Sequence, residues 1–296
     1  MPTLTTDDGV KLFYEEAGAG APVVFVHEFA GDQRSWEPQL RYFSRRYRCI
    51  AYNARGYPPS EVPESWERYS QARARDDIRA VLDALGIQRA HIVGLSMGAF
   101  ATLHFGITYP NRSISLVVAG GGYGSHPAHY RKFQDDSKAN AAFIQREGME
   151  RFAATYGHGP TRVQFQNKDA RGFAEYIEQL KDHSALGSVN TLLGTQARRP
   201  SLYDLTEEMA RIEAPVLVMA GDEEEPCLEA CLLMKRAIPS AGLALFPQSG
   251  HAINLEEPAL FNQFLESFFH QVEAGRWGAR DKRSMVPSLY GPGGKP

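Results

Sequence analysis

Short apolar runs alternate along this chain with longer segments of helical periodicity, and that alternation constrains the fold more than any other feature. The runs fall at residues 22–27, 48–52, 91–95, 114–119, 216–220 and 243–246, and none shows the in-and-out pattern of a half-solvated strand. Continuous apolar runs of this length suit strands buried on both faces. Between them lie segments with helical spacing, clearest at 70–85, closed by Gly86, at 97–109, closed by Pro110, and at 258–272. Strands alternating with helices predict an α/β fold whose mostly parallel sheet is covered by helices on both faces. An earlier strand, 10–16, follows the Asp8-Gly9 turn.

The alternation stops between residues 123 and 210, where the pattern is helical with scattered aromatics: Phe143, Phe152, Tyr156, Phe165, Phe173 and Tyr176. We therefore expect residues 1–122 and 211–274 to form the core and 123–210 an inserted helical cap, with the aromatics mainly packing that cap onto the sheet. Residues 275–296 are rich in Gly and Pro and lack periodicity, which predicts a mobile tail.

Charge and cysteine content exclude several classes. With 32 basic and 35 acidic side chains among 296 residues, the net charge is −3. No general footprint for nucleic acid or anionic membrane follows, so neither is expected as a partner. Cys49, Cys227 and Cys231 are too few for a disulfide framework, and the last two read as buried thiols one helical turn apart. Asp7, Asp8, Lys11, Glu15 and Glu16 interrupt any signal-like apolar stretch, and no uncharged run reaches the roughly 18 residues a bilayer span needs. A soluble, cytoplasmic protein is expected, with a homo-oligomer left open.

Gly94-Leu95-Ser96-Met97-Gly98 matches G-x-S-x-G, a weak signal alone in a chain with 27 glycines. Its position between an apolar strand run and a helix strengthens it, because a serine on a tight strand-to-helix turn projects its hydroxyl above the sheet. Small residues two before and two after let the neighbouring backbones approach. The Met97 N–H opens the helix, where a free donor and the positive dipole end favour a developing oxyanion. A serine needs a base, and His251 follows the run 243–246 on the same sheet edge. His27 also ends a strand and better suits shaping the oxyanion loop. Metal ligation by His126 and His129 lacks a third ligand at zinc-like spacing. An acid must fix the base's tautomer, and Asp222, Glu223, Glu224 and Glu225 offer four candidates after the run 216–220, at least two of them simply solvated.

Taken together, Val26-His27-Glu28-Phe29, Asn53-Ala54-Arg55-Gly56, the serine pentapeptide, the acidic loop and Ser249-Gly250-His251 make the chain resemble the α/β-hydrolase superfamily over residues 1 to 274. The order Ser, acid, His is that superfamily's. The resemblance implies that Ser96 is the nucleophile and His251 the base, and that Glu224 is the acid, with Asp222 as the alternative. It also implies an oxyanion hole from the N–H groups of Phe29 and Met97, and no cofactor or metal. Three positions depart from the usual pattern: Glu224 stands for an aspartate, Glu28 for a glycine, and Asn53 for an aspartate. Glu28 is expected to pair with Arg34 or Arg55, or else to repel anionic substrates.

The resemblance further implies hydrolysis of a small-molecule carboxylic ester, with lactone or enol-lactone hydrolysis, or cofactor-free perhydrolysis, as alternatives. Ser96 argues against the aspartate-dependent epoxide hydrolases and haloalkane dehalogenases. Carbon–carbon bond hydrolases usually carry a Gly-rich oxyanion loop, which this chain lacks. A non-enzymatic ligand receptor on the same scaffold is the alternative of another class.

Overall fold

The apolar runs find the two-sided burial they require in one eight-stranded sheet. The computed structural model describes residues 2–285. The strands are β1 (Thr3–Thr5), β2 (Lys11–Ala17), β3 (Ala21–Val26), β4 (Tyr47–Tyr52), β5 (Ala90–Leu95), β6 (Ser113–Ala119), β7 (Val216–Gly221) and β8 (Ala241–Phe246), ordered β1-β2-β4-β3-β5-β6-β7-β8. β1 pairs antiparallel with β2, and β2 with β4; every other pairing is parallel. Every residue of β5 and β7 is buried, as their unbroken apolar runs predict.

Helices in chain order are α1 (Glu37–Phe43), α2 (Gln71–Ala84), α3 (Met97–Thr108), α4 (Pro127–Thr155), α5 (Val163–Lys168), α6 (Ala170–Lys181), α7 (Ala185–Asn190), α8 (Thr206–Met209), α9 (Glu225–Ala237), α10 (Ile253–Glu256) and α11 (Pro258–Glu273). Ser70 caps α2 by accepting from the Arg73 N–H at 3.1 Å, and Gly86 ends it at φ +66°, the usual pairing of polar N-cap with glycine beyond the C-terminus. One sheet face packs against α2, α3 and α9, the other against α1 and α11. On α11, Phe261, Leu265, Phe268 and Phe269 recur at helical spacing and are buried. Each such side chain contributes about 1.5–3 kcal/mol.

Two features position the site. β3 lies between β4 and β5, so the winding reverses there, and open α/β sheets hold their ligands outside the carboxyl ends of the strands at such a point. Between β6 and β7 the chain leaves the sheet for α4 to α8. α4 is broken at Gly148, whose φ of 79° and ψ of 176° interrupt the helix. This insert has its own apolar cluster, which includes Phe152, Phe165 and Phe173 and meets the core through Phe29, Tyr57 and Met97. Of the stretch expected as a tail, residues 286–296 lie outside the described residues. Its first part is docked: the Trp277 indole donates to the Ser240 carbonyl at 2.8 Å, and the Arg280 guanidinium donates to carbonyls at the end of α9, including that of Arg236 at 2.8 Å. One aromatic and one multidentate donor anchor a segment that has no periodicity to predict it.

Candidate active site

Ser96 stands at the carboxyl end of β5, immediately before α3, with φ 54° and ψ −110°. A non-glycine residue there is strained, and such strain gathers at functional turns. The turn closes because the Ser96 N–H donates to the Ala119 carbonyl at 2.8 Å, while Gly94 and Gly98 let β5, α3 and β3 meet backbone to backbone. As the first residue of α3, Met97 has no intrahelical acceptor for its N–H.

The loop after β3 faces this turn. His27 is buried and bridges two loops: its Nε2 accepts from the Ala54 N–H at 3.0 Å, so the ring proton resides on Nδ1, which donates to the Glu28 carbonyl at 2.7 Å. Burial pushes His27 down to about 4, which keeps the ring neutral near pH 7. The Glu28 carbonyl and the Phe29 N–H belong to one trans peptide plane and point in opposite directions. By pinning the carbonyl, His27 orients the Phe29 donor. Tyr57 completes the clamp by donating to the Phe29 carbonyl at 2.7 Å.

His251 lies on the loop after β8, and Gly120 makes room for it. A Cβ at Gly120 would stand 3.4 Å from His251 Nδ1 and 3.3 Å from the Leu95 side chain. Glu256 grips this loop on both sides of the histidine, accepting from the Gly250 N–H at 2.6 Å and the Ala252 N–H at 3.0 Å. Of the four acidic candidates, Glu224 is the one that reaches the imidazole: its Oε1 bonds Nδ1 of His251, both residues being buried. Asp222 is exposed, and its Oδ1 accepts instead from the Ser249 N–H at 3.3 Å. The other ring nitrogen, Nε2, lies 3.5 Å from Glu28 Oε2. Among the described residues it makes no hydrogen bond to Ser96. Burial alone would push His251 down, but the carboxylates of Glu224 and then Glu28 outweigh it and leave the imidazole above its ordinary value.

Glu28 does not pair with Arg34 or Arg55. Arg34 is held by Asp32 at 2.7 Å, and Arg55 by Asp77 at 2.6 Å and Asp8 at 2.9 Å. Its partner is Arg162 of the insert, and both side chains are almost wholly buried. Arg162 also donates to the Tyr176 hydroxyl at 3.1 Å. No local spacing signals a pair 134 residues apart. A second unforeseen contact was within reach of the sequence: Cys227, three residues after Glu224, donates its thiol proton to Glu224 Oε1 at 2.9 Å. Glu224, Cys227 and His251 bring three metal-ligand atom types within 4.8 Å. Burial holds the Cys227 thiol well above its ordinary range, so it keeps its proton and these atoms are committed to one another. His126 and His129 lie apart from the site, His126 capping α4 by accepting from the Ala128 N–H at 3.2 Å.

Ser96, Phe29, Glu28, Glu224 and His251 all line one cavity of about 810 Å³. The insert closes it with Phe143, Tyr156 and Arg199, so two of the six aromatics expected mainly to pack also face this space. A family model described as the alpha/beta hydrolase fold matches residues 21–258. The chain belongs to that family. This α/β-hydrolase is 26% identical over 252 residues to a 3-oxoadipate enol-lactonase of Acinetobacter baylyi, covering 85% of this chain and 89% of that one. It is 28% identical over 271 residues to a 2-hydroxy-6-oxo-6-phenylhexa-2,4-dienoate hydrolase of Comamonas testosteroni, covering 88% and 91%. A thermophilic esterase of Thermogutta terrifontis superposes with a TM-score of 0.79 at 24% identity, covering 92% of this chain and 98% of that one; the likeness there is of fold. No helix among the described residues is long and apolar enough to cross a membrane.

Proposed function

We propose that this α/β-hydrolase cleaves small to medium carboxylic esters through an acyl-enzyme intermediate, using no cofactor. Ser96 Oγ attacks the acyl carbonyl while His251 Nε2 accepts its proton. Glu224, bonded to Nδ1, holds the tautomer and stabilises the imidazolium. The N–H groups of Phe29 and Met97 donate to the oxyanion. The imidazolium then protonates the departing alkoxide, and a water activated by the same base releases the acid. The relay requires Ser96 Oγ and His251 Nε2 to come within about 2.6–3.2 Å once an acyl group enters, a closure common in sites without ligand.

The observation that carries this reading is a serine at a strained elbow sharing a cavity with a buried histidine whose far nitrogen is tied to a buried carboxylate. The cavity volume also lies within the roughly 300–1,000 Å³ of small-molecule sites. Core residues 1–122 and 211–274 supply the reacting groups, and the cap, 123–210, supplies the walls that select the acyl chain. The test is hydrolysis of p-nitrophenyl butyrate together with fluorophosphonate labelling, with Ser96→Ala as control. Turnover and labelling that both vanish in the variant are expected; neither in the native protein overturns the reading. A lactone is a cyclic ester cleaved by the same steps, and the enol-lactonase among the relatives makes lactone hydrolysis the second reading. A panel of esters and lactones of graded size separates the two.

A further inference from the structure

Every carboxylate lining the cavity already has a partner: Glu28 has Arg162, Glu224 has His251 and Cys227, Asp136 has Lys132, and Glu223 has Gln164. One cation on the lining has no carboxylate. Arg199 is 4% exposed, and among the described residues no acidic group lies within salt-bridge distance of it. Its guanidinium sits 3.8 Å from the centroid of the Phe100 ring and 4.2 Å from that of Phe133, held between them. Of five N–H donors, one reaches Gln196 Oε1 at 2.6 Å and one the Tyr123 carbonyl. A buried guanidinium without a counter-anion is costly unless something completes it.

The position of this charge relative to the nucleophile decides what completes it. Phe100, which the guanidinium covers, lies one turn into α3 and donates its N–H to the Ser96 carbonyl at 3.1 Å. Ser96, Phe133 and Arg199 line the same cavity, so an anion held by Arg199 lies in the space that the nucleophile faces. We infer that Arg199 receives a carboxylate of the substrate, so that the cavity takes an ester or lactone bearing a second, anionic group. This rests on the hydrolase reading above and narrows it to monoesters or lactones of dicarboxylic acids. The two phenyl rings fix the plane of the fork, leaving its remaining donors for a planar anion, the geometry at which arginine exceeds lysine. The expectation that Glu28 repels anions is answered by Arg162, which neutralises it.

The experiment compares monomethyl glutarate with methyl pentanoate, and monomethyl succinate with methyl butyrate, as substrates followed by pH-stat. The native protein is expected to favour each anionic ester in kcat/KM by about 10- to 100-fold, the worth of hydrogen bonds to a charged group. Arg199→Gln is expected to abolish that preference, and Arg199→Lys to retain part of it. A merely structural arginine would alter both esters alike. No preference in the native protein, or a preference that survives in folded Arg199→Gln, overturns the inference. If the native protein cleaves none of these esters, p-nitrophenyl butyrate turnover and fluorophosphonate labelling judge the hydrolytic reading separately, and glutarate binding to Ser96→Ala, measured by calorimetry, decides the anion site. Binding lost on adding Arg199→Gln upholds it, and absence of binding overturns it.

Discussion

Gly98→Ala tests the backbone packing behind the serine elbow with a single methyl group. A Cβ at Gly98 would lie 2.1 Å from the Val26 carbonyl oxygen, 2.6 Å from its carbon and 2.8 Å from the His27 oxygen. Unstrained carbon–oxygen contacts need about 3.3–3.6 Å, so α3 and the end of β3 must separate by roughly 1 Å. All three atoms are main chain, and no side chain can swing aside. Overpacking of this kind costs about 1–3 kcal/mol or more. The catalytic penalty is larger, because the movement parts the two proposed oxyanion donors, Met97 on α3 and Phe29 beyond β3. Loss of one such donor reduces kcat about 100- to 1000-fold. Gly86→Ala is the control: its Cβ meets nothing within 4 Å, although φ is +66°. That change is expected to cost about 1–2 kcal/mol for the left-handed backbone and leave turnover alone. Both variants are measured by urea unfolding and p-nitrophenyl butyrate hydrolysis. A folded Gly98→Ala protein with kcat within about threefold of native refutes the reasoning.

Three further expectations follow from the same geometry. Glu224→Gln should lower kcat by about 10³- to 10⁴-fold, as loss of the tautomer-fixing carboxylate does elsewhere, whereas exposed Asp222→Asn should fall within about threefold; the reverse order in steady-state kinetics would reassign the acid. Arg162→Met leaves Glu28 buried and unpaired, at a cost of about 3–5 kcal/mol in urea unfolding, and the double change with Glu28→Gln should recover much of it; penalties that simply add, within about 0.5 kcal/mol, would mean the pair is not coupled. For pH dependence, the base acts when neutral, so kcat/KM rises as pH climbs through the raised His251 pKa; Glu28→Gln removes one anion that favours the imidazolium and should move that limb to lower pH. An unmoved or upward-shifted limb would show that the Glu28 charge does not reach the imidazole.

How much of this was legible depends on whether the determining contacts are local. The parallel strands were, because burial on both faces demands unbroken apolar runs, and residues 91–95 and 216–220 supply them. β1 was not: it has three residues, of which only Leu4 is buried. α1 was missed too, being two turns long with Gln39 among its buried residues. The serine turn is marked by a pattern whose glycines sit where three backbones touch. The residues alone narrowed the acid to a loop, and the family resemblance favoured Glu224 within it, with Asp222 as the alternative. Glu224 rather than Asp222 reaches the imidazole because Asp222 still pairs its N–H with Phe246 of β8 at 3.0 Å, leaving its side chain exposed, while the chain then turns through the Glu224 N–H to the Gly221 carbonyl at 3.3 Å. Arg162 and Arg199 come from a segment whose periodicity predicts helices and nothing about which side chains point inward.

Those two arginines make the insert part of the site's electrostatics and not only its roof. A carboxylate at position 28, 3.5 Å from His251 Nε2, favours the imidazolium and so works against the proposed role of that nitrogen as a neutral base. Arg162 opposes this from the other side of Glu28, and its charge enters the balance on His251 in the lowering direction. The pair thus sets a base that is raised by its neighbours yet restrained by the cap, and any change that lifts Arg162 away strengthens the hold of Glu28 on the imidazolium. Arg199 carries the opposite consequence, since a cap in place presents an uncompensated cation to the cavity. The proposed base and the proposed anion site thus both draw on arginines of the insert.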